Sequence, residues 1–200
     1  MEGRSRSKER PGYVGHTKSK SCTYLGPRVG LAIPLAALLL ARAMQGQGVE
    51  EYQMKAAILY NLAKFVEWPS NTFKNPTDPI TSCVLGDSPF GRSLDLQLDG
   101  KPIDDRKVVV RHVSEISQAR GCQILMITNS VPKRNSNLNE IKASGILTVG
   151  EADGFASEGG VVNLKLESGK VRIQINVEAA EREGLRISSR LLNLAQIVKK

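Results

Sequence analysis

Side chains that could support catalysis are few and widely separated in this chain of 200 residues. His112 lies between Arg111 and Val113 in a predicted strand, where a histidine is more often an ordinary strand residue than a general base. Asp104 and Asp105 are adjacent, and neighbouring residues of an extended chain face opposite ways, so they form a poor acid–base pair. No nucleophile elbow, Walker loop, dinucleotide fingerprint or zinc-protease motif occurs. The sequence therefore predicts a protein that is not an enzyme and that uses no metal or cofactor.

The net charge of +8 is concentrated at the amino terminus. Residues 1–43 hold eight basic and two acidic side chains, which leaves residues 44–200 with a net charge of only +2. Proteins that bind nucleic acid need a basic surface on the folded domain. The nearly neutral remainder argues against nucleic-acid binding.

The first 43 residues have the order of parts of a secretory signal peptide. A basic region ends at Arg28, the apolar run Leu31–Leu40 follows, and Ala41-Arg42-Ala43 supplies small residues at a cleavage site. The apolar run is too short to span a bilayer core of ~30 Å. We expect export to the periplasm and a single mature domain over residues 44–200, with an uncleaved membrane anchor as the alternative.

Export determines how the cysteines are interpreted. Cys22 would leave with the leader, so Cys83 and Cys122 remain. An even pair in an oxidising compartment is interpreted first as a disulfide. The alternative is two inert buried thiols, because both cysteines lie in apolar, strand-like segments.

The segment Cys122–Thr128 predicts the centre of the fold. Its four consecutive large apolar residues, Ile124–Ile127, cannot keep one face in water, so they predict a strand that is covered on both sides. Strands of this kind occur in mostly parallel sheets that have helices on both faces. The predicted class is therefore α/β.

Strand and helix patterns alternate around this segment. An apolar stripe predicts a first helix over about Glu50–Trp68, which ends before Pro69. Strands at Ile80–Leu85, Val108–Val113, Cys122–Thr128 and Ile146–Val149, separated by short helices, predict right-handed crossovers and a flavodoxin-like 2-1-3-4 strand order. In that order the strands that carry Cys83 and Cys122 are neighbours, which agrees with a disulfide.

The pattern changes after residue 160. Val161–Leu166 and Val171–Val177 alternate apolar and polar residues and predict an antiparallel hairpin. Asn176 is predicted to cap a short helix that Gly184 ends. A closing helix is predicted after Ser188 or Ser189, with the apolar residues Leu191, Leu192, Leu194, Ile197 and Val198.

A glycine-rich loop, Gly150–Gly160, follows the fourth strand at the carboxyl edge of the predicted sheet. Its glycines lack the spacing of a phosphate cradle. Two interpretations stay open: a long turn with Phe155 packed inward, or a recognition loop around an exposed Phe155.

Several motifs occur in the order that they have in the YfiR family, which the chain resembles over about residues 50–198. They are Tyr60–Pro69, Cys83–Gly86, Ile146–Gly150, Gly154-Phe155, Gly159-Gly160 and Ile187–Leu192. The resemblance implies a Rossmann-like α/β domain that dimerises, and a family disulfide at Cys83 and Cys122. It also implies a periplasmic, non-enzymatic regulator. Such a protein binds the periplasmic sensory domain of a membrane-anchored diguanylate cyclase and represses it, which lowers cyclic di-GMP and biofilm formation. A partner at the outer membrane, such as a lipoprotein, would sequester the regulator.

A regulator of this kind needs an apolar contact surface with a charged rim. The candidate apolar contacts are Phe155, Trp68, Ile187 and Leu191, and the candidate rim residues are Arg172 and Arg186. Trp68, Ile187 and Leu191 could equally belong to the core, since large apolar residues usually do. The alternative function is a periplasmic protein, or an enzyme, that binds a small nucleotide-like ligand at the carboxyl edge of the sheet.

Overall fold

A computed structural model describes residues 33–88, 90, 92–132 and 134–199. The backbone divides into two compact units, residues 1–39 and residues 40–200. The first unit lies outside the described residues except for 33–39, which are helical, so most of the predicted signal peptide is outside them too. None of the described helices is both long and apolar enough to cross a bilayer.

The second unit is a mixed α/β domain, which confirms the predicted fold class. Its strands are β1 (Val66–Glu67), β2 (Ile80–Leu85), β3 (Pro102–Ile103), β4 (Arg106–Val113), β5 (Ile124–Ile127), β6 (Leu147–Gly150), β7 (Val162–Glu167), β8 (Lys170–Ile175), β9 (Arg186–Ile187) and β10 (Gln196–Ile197). Its helices are α1 (Ile33–Lys64, which begins in the first unit), α2 (Ser93–Leu98), a 3-10 helix (Ile116–Ala119), α3 (Arg134–Glu140), α4 (Val177–Arg182) and α5 (Ser189–Leu192).

Eight strands form one sheet in the order β10-β8-β7-β6-β5-β2-β4-β3. Strands β4, β2, β5 and β6 are parallel and have the predicted 2-1-3-4 order. All four residues of β5 are buried. Because side chains alternate across a strand, Ile124 and Met126 join one core with α1 and α4, whereas Leu125 and Ile127 join a second core with the 3-10 helix and α3.

Cys83 and Cys122 form a disulfide within the second core, with a Cα–Cα distance of 5.9 Å. Cys83 lies in β2 opposite Leu125 of β5, and Cys122 precedes β5 by two residues. The Arg111 side chain covers this bond, since its Nη2 lies 3.1 Å from the Cys122 sulfur and donates to the Gln118 carbonyl at 2.8 Å. The predicted disulfide is confirmed.

The predicted hairpin and the cap of α4 are also confirmed. Ser168 and Gly169 connect β7 to β8 with φ values of 50° and 76°, the two left-handed residues that a type I′ turn requires. The Asn176 side chain accepts a 2.8 Å hydrogen bond from the Ala179 N–H at the start of α4. Gly184 follows the helix with a φ of 70°.

Three predicted helix boundaries are wrong. Helix α1 begins at Ile33 rather than near Glu50. Helix α1 ends at Lys64 rather than near Trp68, because Val66–Glu67 pair with Arg186–Ile187 in a separate two-stranded sheet. The closing helix ends at Leu192, and Gln196–Ile197 instead pair with β8. The apolar residues that suggested a longer helix do not form a buried stripe, since Leu194 is 77% exposed and Ile197 is 46% exposed.

Removal of the disulfide should destabilise the domain without changing its fold. The bond joins residues 39 apart, and closing a loop of that length is worth about 4 kcal/mol in the chain-entropy model. We expect the variant Cys83→Ala/Cys122→Ala to lose most of this free energy of unfolding in a urea titration, and dithiothreitol to lower the midpoint of the wild type similarly. A variant that is as stable as the oxidised wild type would contradict this expectation.

Candidate functional site

The separate two-stranded sheet, which we call the ribbon (Val66–Glu67 and Arg186–Ile187), brings together four of the residues predicted to bind a partner. Ile187 faces Val66, and the side chain of Arg186 is largely exposed 3.9 Å from the Glu67 carboxylate. Trp68 follows the ribbon directly, and Leu191 lies one turn into α5. Ile187 and Trp68 are partly buried against the first core, whereas Leu191 is buried within it.

Trp68 is held in place by two contacts. Its indole N–H donates to the Gln123 carbonyl at 3.2 Å, just before the central strand. Its ring meets Phe73 edge to face, with centroids 6.4 Å apart and an interplanar angle of 78°. Such a contact gives an aromatic pair a defined geometry. The indole is therefore a fixed, half-buried surface.

A cleft of about 410 Å³ opens beside Trp68 at the amino edge of the parallel strands. We call it the aromatic cleft; its lining includes Val66, Glu67, Trp68, Phe73, Ile103, Asp104, Asp105 and Arg106. The Arg106 guanidinium lies 3.7 Å from the centroid of the Phe73 ring. It also donates to the carbonyls of Asn75 and Asp78, at 3.0 and 2.7 Å. The cleft thus has an aromatic wall whose only lining cation among the described residues is already engaged.

The loop that carries Phe73 is ordered by Asp78. Its carboxylate accepts hydrogen bonds from the backbone of Asn75 and Lys74 and from the Asn75 side chain, at 2.8 to 3.0 Å. These bonds, those from Asn75 above all, lower the pKa of Asp78. The sequence predicts neither a helix nor a strand between Pro69 and Ile80, and it does not predict Phe73 and Arg106 as site residues. The sequence does contain one indication of an ordered turn here. Asp78 follows Lys74 and Asn75 at a spacing that lets its carboxylate accept hydrogen bonds from their backbone.

Phe155 does not lie on the surface. It is 0% exposed, so the interpretation as an exposed recognition residue is wrong and the inward-packed alternative is correct. Its ring lies directly on Gly150 and Gly160: a Cβ atom built on either glycine would fall 2.4 Å or less from the ring. Asn176 fixes the loop by donating to the Ala156 carbonyl at 2.7 Å. The glycines of this loop therefore make room for a core aromatic side chain.

Arg172 lies on a different surface from the ribbon. It is an exposed residue of β8 and faces Lys165 of β7. The adjacent pair, Ile173 and Leu164, points into the first core, and side chains alternate across a strand, so Arg172 is on the opposite face of the sheet. The structure therefore unites Trp68, Arg186, Ile187 and Leu191 but separates Arg172 and Phe155 from them.

A buried ion pair lies at the other end of the sheet. The Lys55 ammonium of α1 lies 2.7 Å from the Glu151 carboxylate, which follows β6, and the two residues are only 3% and 8% exposed. Glu51 also contacts Lys55. Burial opposes the charged form of Lys55, but the hydrogen bonds that its ammonium donates to both carboxylates outweigh burial and raise the pKa of Lys55 above its usual 10.5. Burial, together with the Glu151 charge, raises the pKa of the neighbouring Tyr52.

The carboxyl edge also carries an open cavity of about 640 Å³ where β2, β4 and β5 end. Its lining includes Gly86, Asp87, Ser114, Ser117, Ser130 and Asn137. Gly86 has a φ of 94°, and a Cβ atom there would lie 2.5 Å from the Thr128 hydroxyl, so the strand ends approach closely only with glycine. Among the described residues, no group of side chains has the arrangement of a metal site.

A family model described as YfiR/HmsC-like matches residues 52–196. The match spans most of the chain, so the chain belongs to the YfiR/HmsC-like family. Membership supports a periplasmic regulator in general. No protein of curated function matches the sequence.

Two solved structures resemble part of the chain. One is the ABC domain in complex with L-Trp from Streptococcus pneumonia, with 11% identity and a TM-score of 0.43 over 59% of this chain. The other is a conserved domain protein from Vibrio cholerae, with 14% identity and a TM-score of 0.43 over 60% of this chain. The chain spans only 55% of the length of each of these proteins.

Replacement of Lys55 should destabilise the domain strongly, because Glu151 would keep a buried charge without a partner. We expect Lys55→Met to lower the free energy of unfolding by about 3–5 kcal/mol, and Lys55→Met/Glu151→Gln to recover much of the loss. Lys165→Met, which removes an exposed pair, should change it far less. Since the pKa of Lys55 is raised in the folded state, Lys55 contributes its full stabilisation below pH 10.5 and loses it as the pH rises above that value. The pKa of Tyr52 is raised too, so its ionisation at high pH also lowers the free energy of unfolding. Urea titrations between pH 7 and 11 measure both effects, and equal losses for Lys55→Met and Lys165→Met would contradict the interpretation.

Proposed function

We propose that this member of the YfiR/HmsC-like family is exported, loses residues 1–43, and represses a membrane-anchored diguanylate cyclase by binding its periplasmic sensory domain. Repression would lower cyclic di-GMP and biofilm formation. The observation that carries this proposal is the family match over residues 52–196, which covers nearly all of the proposed mature domain. In the same proposal the protein forms a homodimer, and an outer-membrane lipoprotein can sequester it.

Repression of this kind requires binding and no chemistry. A protein that binds the inactive state of a cyclase more tightly than the active state shifts the equilibrium between them. A nearly complete shift, from 1:99 to 99:1, requires affinities that differ by about 10⁴-fold. An extensive, well-packed contact surface can supply that difference, and the described residues offer apolar and charged groups for it.

In this proposal the ribbon and the aromatic cleft form the contact surface. Trp68 and Ile187 supply partly exposed apolar area, and Arg186 supplies an exposed cation at its margin. This combination matches the apolar centre and polar rim of specific interfaces. Leu191 belongs to the first core, against which Ile187 packs. Phe155 and Arg172 are not included in the proposed surface.

Charge reversal at the two predicted rim arginines tests this surface. We expect Arg186→Glu to weaken binding to the periplasmic domain of the cognate cyclase about tenfold, equivalent to about 1.4 kcal/mol, because a rim charge steers association and pairs with the partner. Arg172→Glu is the matched control, because it makes the same change on the opposite face of the sheet and should leave the dissociation constant unchanged. Titration calorimetry measures both, with circular dichroism to check folding. Equal effects of the two substitutions would exclude the ribbon as the interface.

The second candidate function is the binding of a small nucleotide-like ligand, and the cavity at the carboxyl edge favours it. In sheets of this type, ligands bind where the strand order reverses, and here that point lies between β2 and β5, beside the cavity. A ligand that binds the native state raises the melting temperature by mass action. If this candidate is correct, one member of a nucleotide panel should raise the melting temperature in a concentration-dependent way, and Asn137→Ala should reduce that rise. A melting temperature that no nucleotide changes would remove this candidate.

A further inference from the structure

Strand β1 has an edge that no described strand covers. It belongs to a two-stranded sheet and pairs only with β9. The Ser188 N–H donates to the Phe65 carbonyl at 2.9 Å, which makes these two residues a hydrogen-bonded pair of the antiparallel ribbon. Because hydrogen-bonded and non-bonded pairs alternate, the next pair, Val66 and Ile187, directs its backbone groups outward.

The same alternation turns the Trp68 backbone away from β9. No described residue forms a hydrogen bond with the Trp68 N–H or C=O. Val66 and Trp68 therefore direct backbone N–H and C=O groups to the outer side of β1. A sheet edge of this kind is a template for the backbone of another chain.

The aromatic cleft lies along this edge. Val66, Glu67 and Trp68 all line it, and no described residue of β9 does. The opposite wall is the turn between β3 and β4 at Asp104 and Asp105. An extended segment that bonded to the edge would place alternate side chains in the cleft and in solvent.

The charges around the aromatic cleft favour the entry of a basic side chain. Glu67, Asp104 and Asp105 are exposed carboxylates on its rim. Arg106 lines the cleft and Arg186 lies 3.9 Å from Glu67, so the three carboxylates still exceed the nearby cations by one. A basic side chain would pair with these carboxylates and contact the Trp68 ring, which attracts cations. A phosphate or an acidic segment would be repelled.

We propose that an extended segment of the partner protein, with a lysine or arginine, adds to β1 as a third strand of the ribbon and inserts that basic side chain into the aromatic cleft. This inference rests on the proposed function, since the partner is the periplasmic domain of the cyclase. It specifies the mode of contact, which the family match does not.

Backbone amide exchange tests the strand addition directly. In the free protein the Trp68 N–H has no acceptor and should exchange almost as fast as an unstructured amide. In the complex with the cyclase domain it should exchange at least about tenfold more slowly, because it gains a hydrogen bond. The Arg186 N–H, which pairs with Glu67 within the ribbon, is the internal reference and should change much less. A complex in which Trp68 exchange is unchanged would overturn the strand addition and leave the proposed function intact.

Charge reversal tests the basic side chain. Asp105→Lys should weaken binding at least about tenfold and reduce its dependence on salt, because the opposing charge is reversed. Glu158→Lys is the matched control, since this exposed residue lies in the glycine-rich loop, beyond the carboxyl edge of the sheet, and should bind as the wild type does. Equal affinities for the two variants would overturn the inference about charge. If the wild-type protein forms no complex with the cyclase domain, the proposed function fails, and the inference fails with it.

Discussion

The fold depends on the burial of β5 on both faces. Four consecutive large apolar residues cannot be covered from one side, so the sheet must lie between two layers of helix. Helix α1 supplies one layer, and the 3-10 helix with α3 supplies the other. The disulfide fastens β2 to the residues just before β5 within the second layer.

The two ends of the sheet have different properties because α1 runs antiparallel to the parallel strands. At the carboxyl edge, Lys55 ties the helix to Glu151 through a buried ion pair, and Phe155 closes the second core against two glycines. At the amino edge, the helix ends and the chain turns directly into the ribbon and Trp68. The amino edge is therefore where fixed aromatic side chains, exposed carboxylates and an unpaired strand edge occur together.

The proposed inhibitory function uses a different edge of the sheet from the one at which folds of this class usually bind small ligands. Ligand sites of parallel sheets lie at the carboxyl edge, where strand ends and helix starts converge. In the proposed function the partner instead contacts the ribbon, which has partly exposed apolar side chains and outward-facing backbone groups at the amino edge. Contact at the ribbon also leaves the carboxyl-edge cavity open, so the two candidate functions do not compete for the same residues.

The sequence by itself determined the layered α/β class and the hairpin, because these follow from local apolar patterns and from turn residues such as Gly169 and Asn176. It favoured the 2-1-3-4 strand order and a disulfide but left two buried thiols as an alternative, and the tertiary structure decided both. It did not determine the ends of α1 and of the closing helix, where pairing with β9 and β8 outweighs an apolar pattern that also suits a helix. Only the tertiary structure decided that Phe155 is buried, that Arg172 and Arg186 lie on different surfaces, and that Phe73 and Arg106 join Trp68. These facts depend on contacts between residues far apart in sequence, such as Trp68 with Gln123 and Asn176 with Ala156, and local patterns carry no information about such distances.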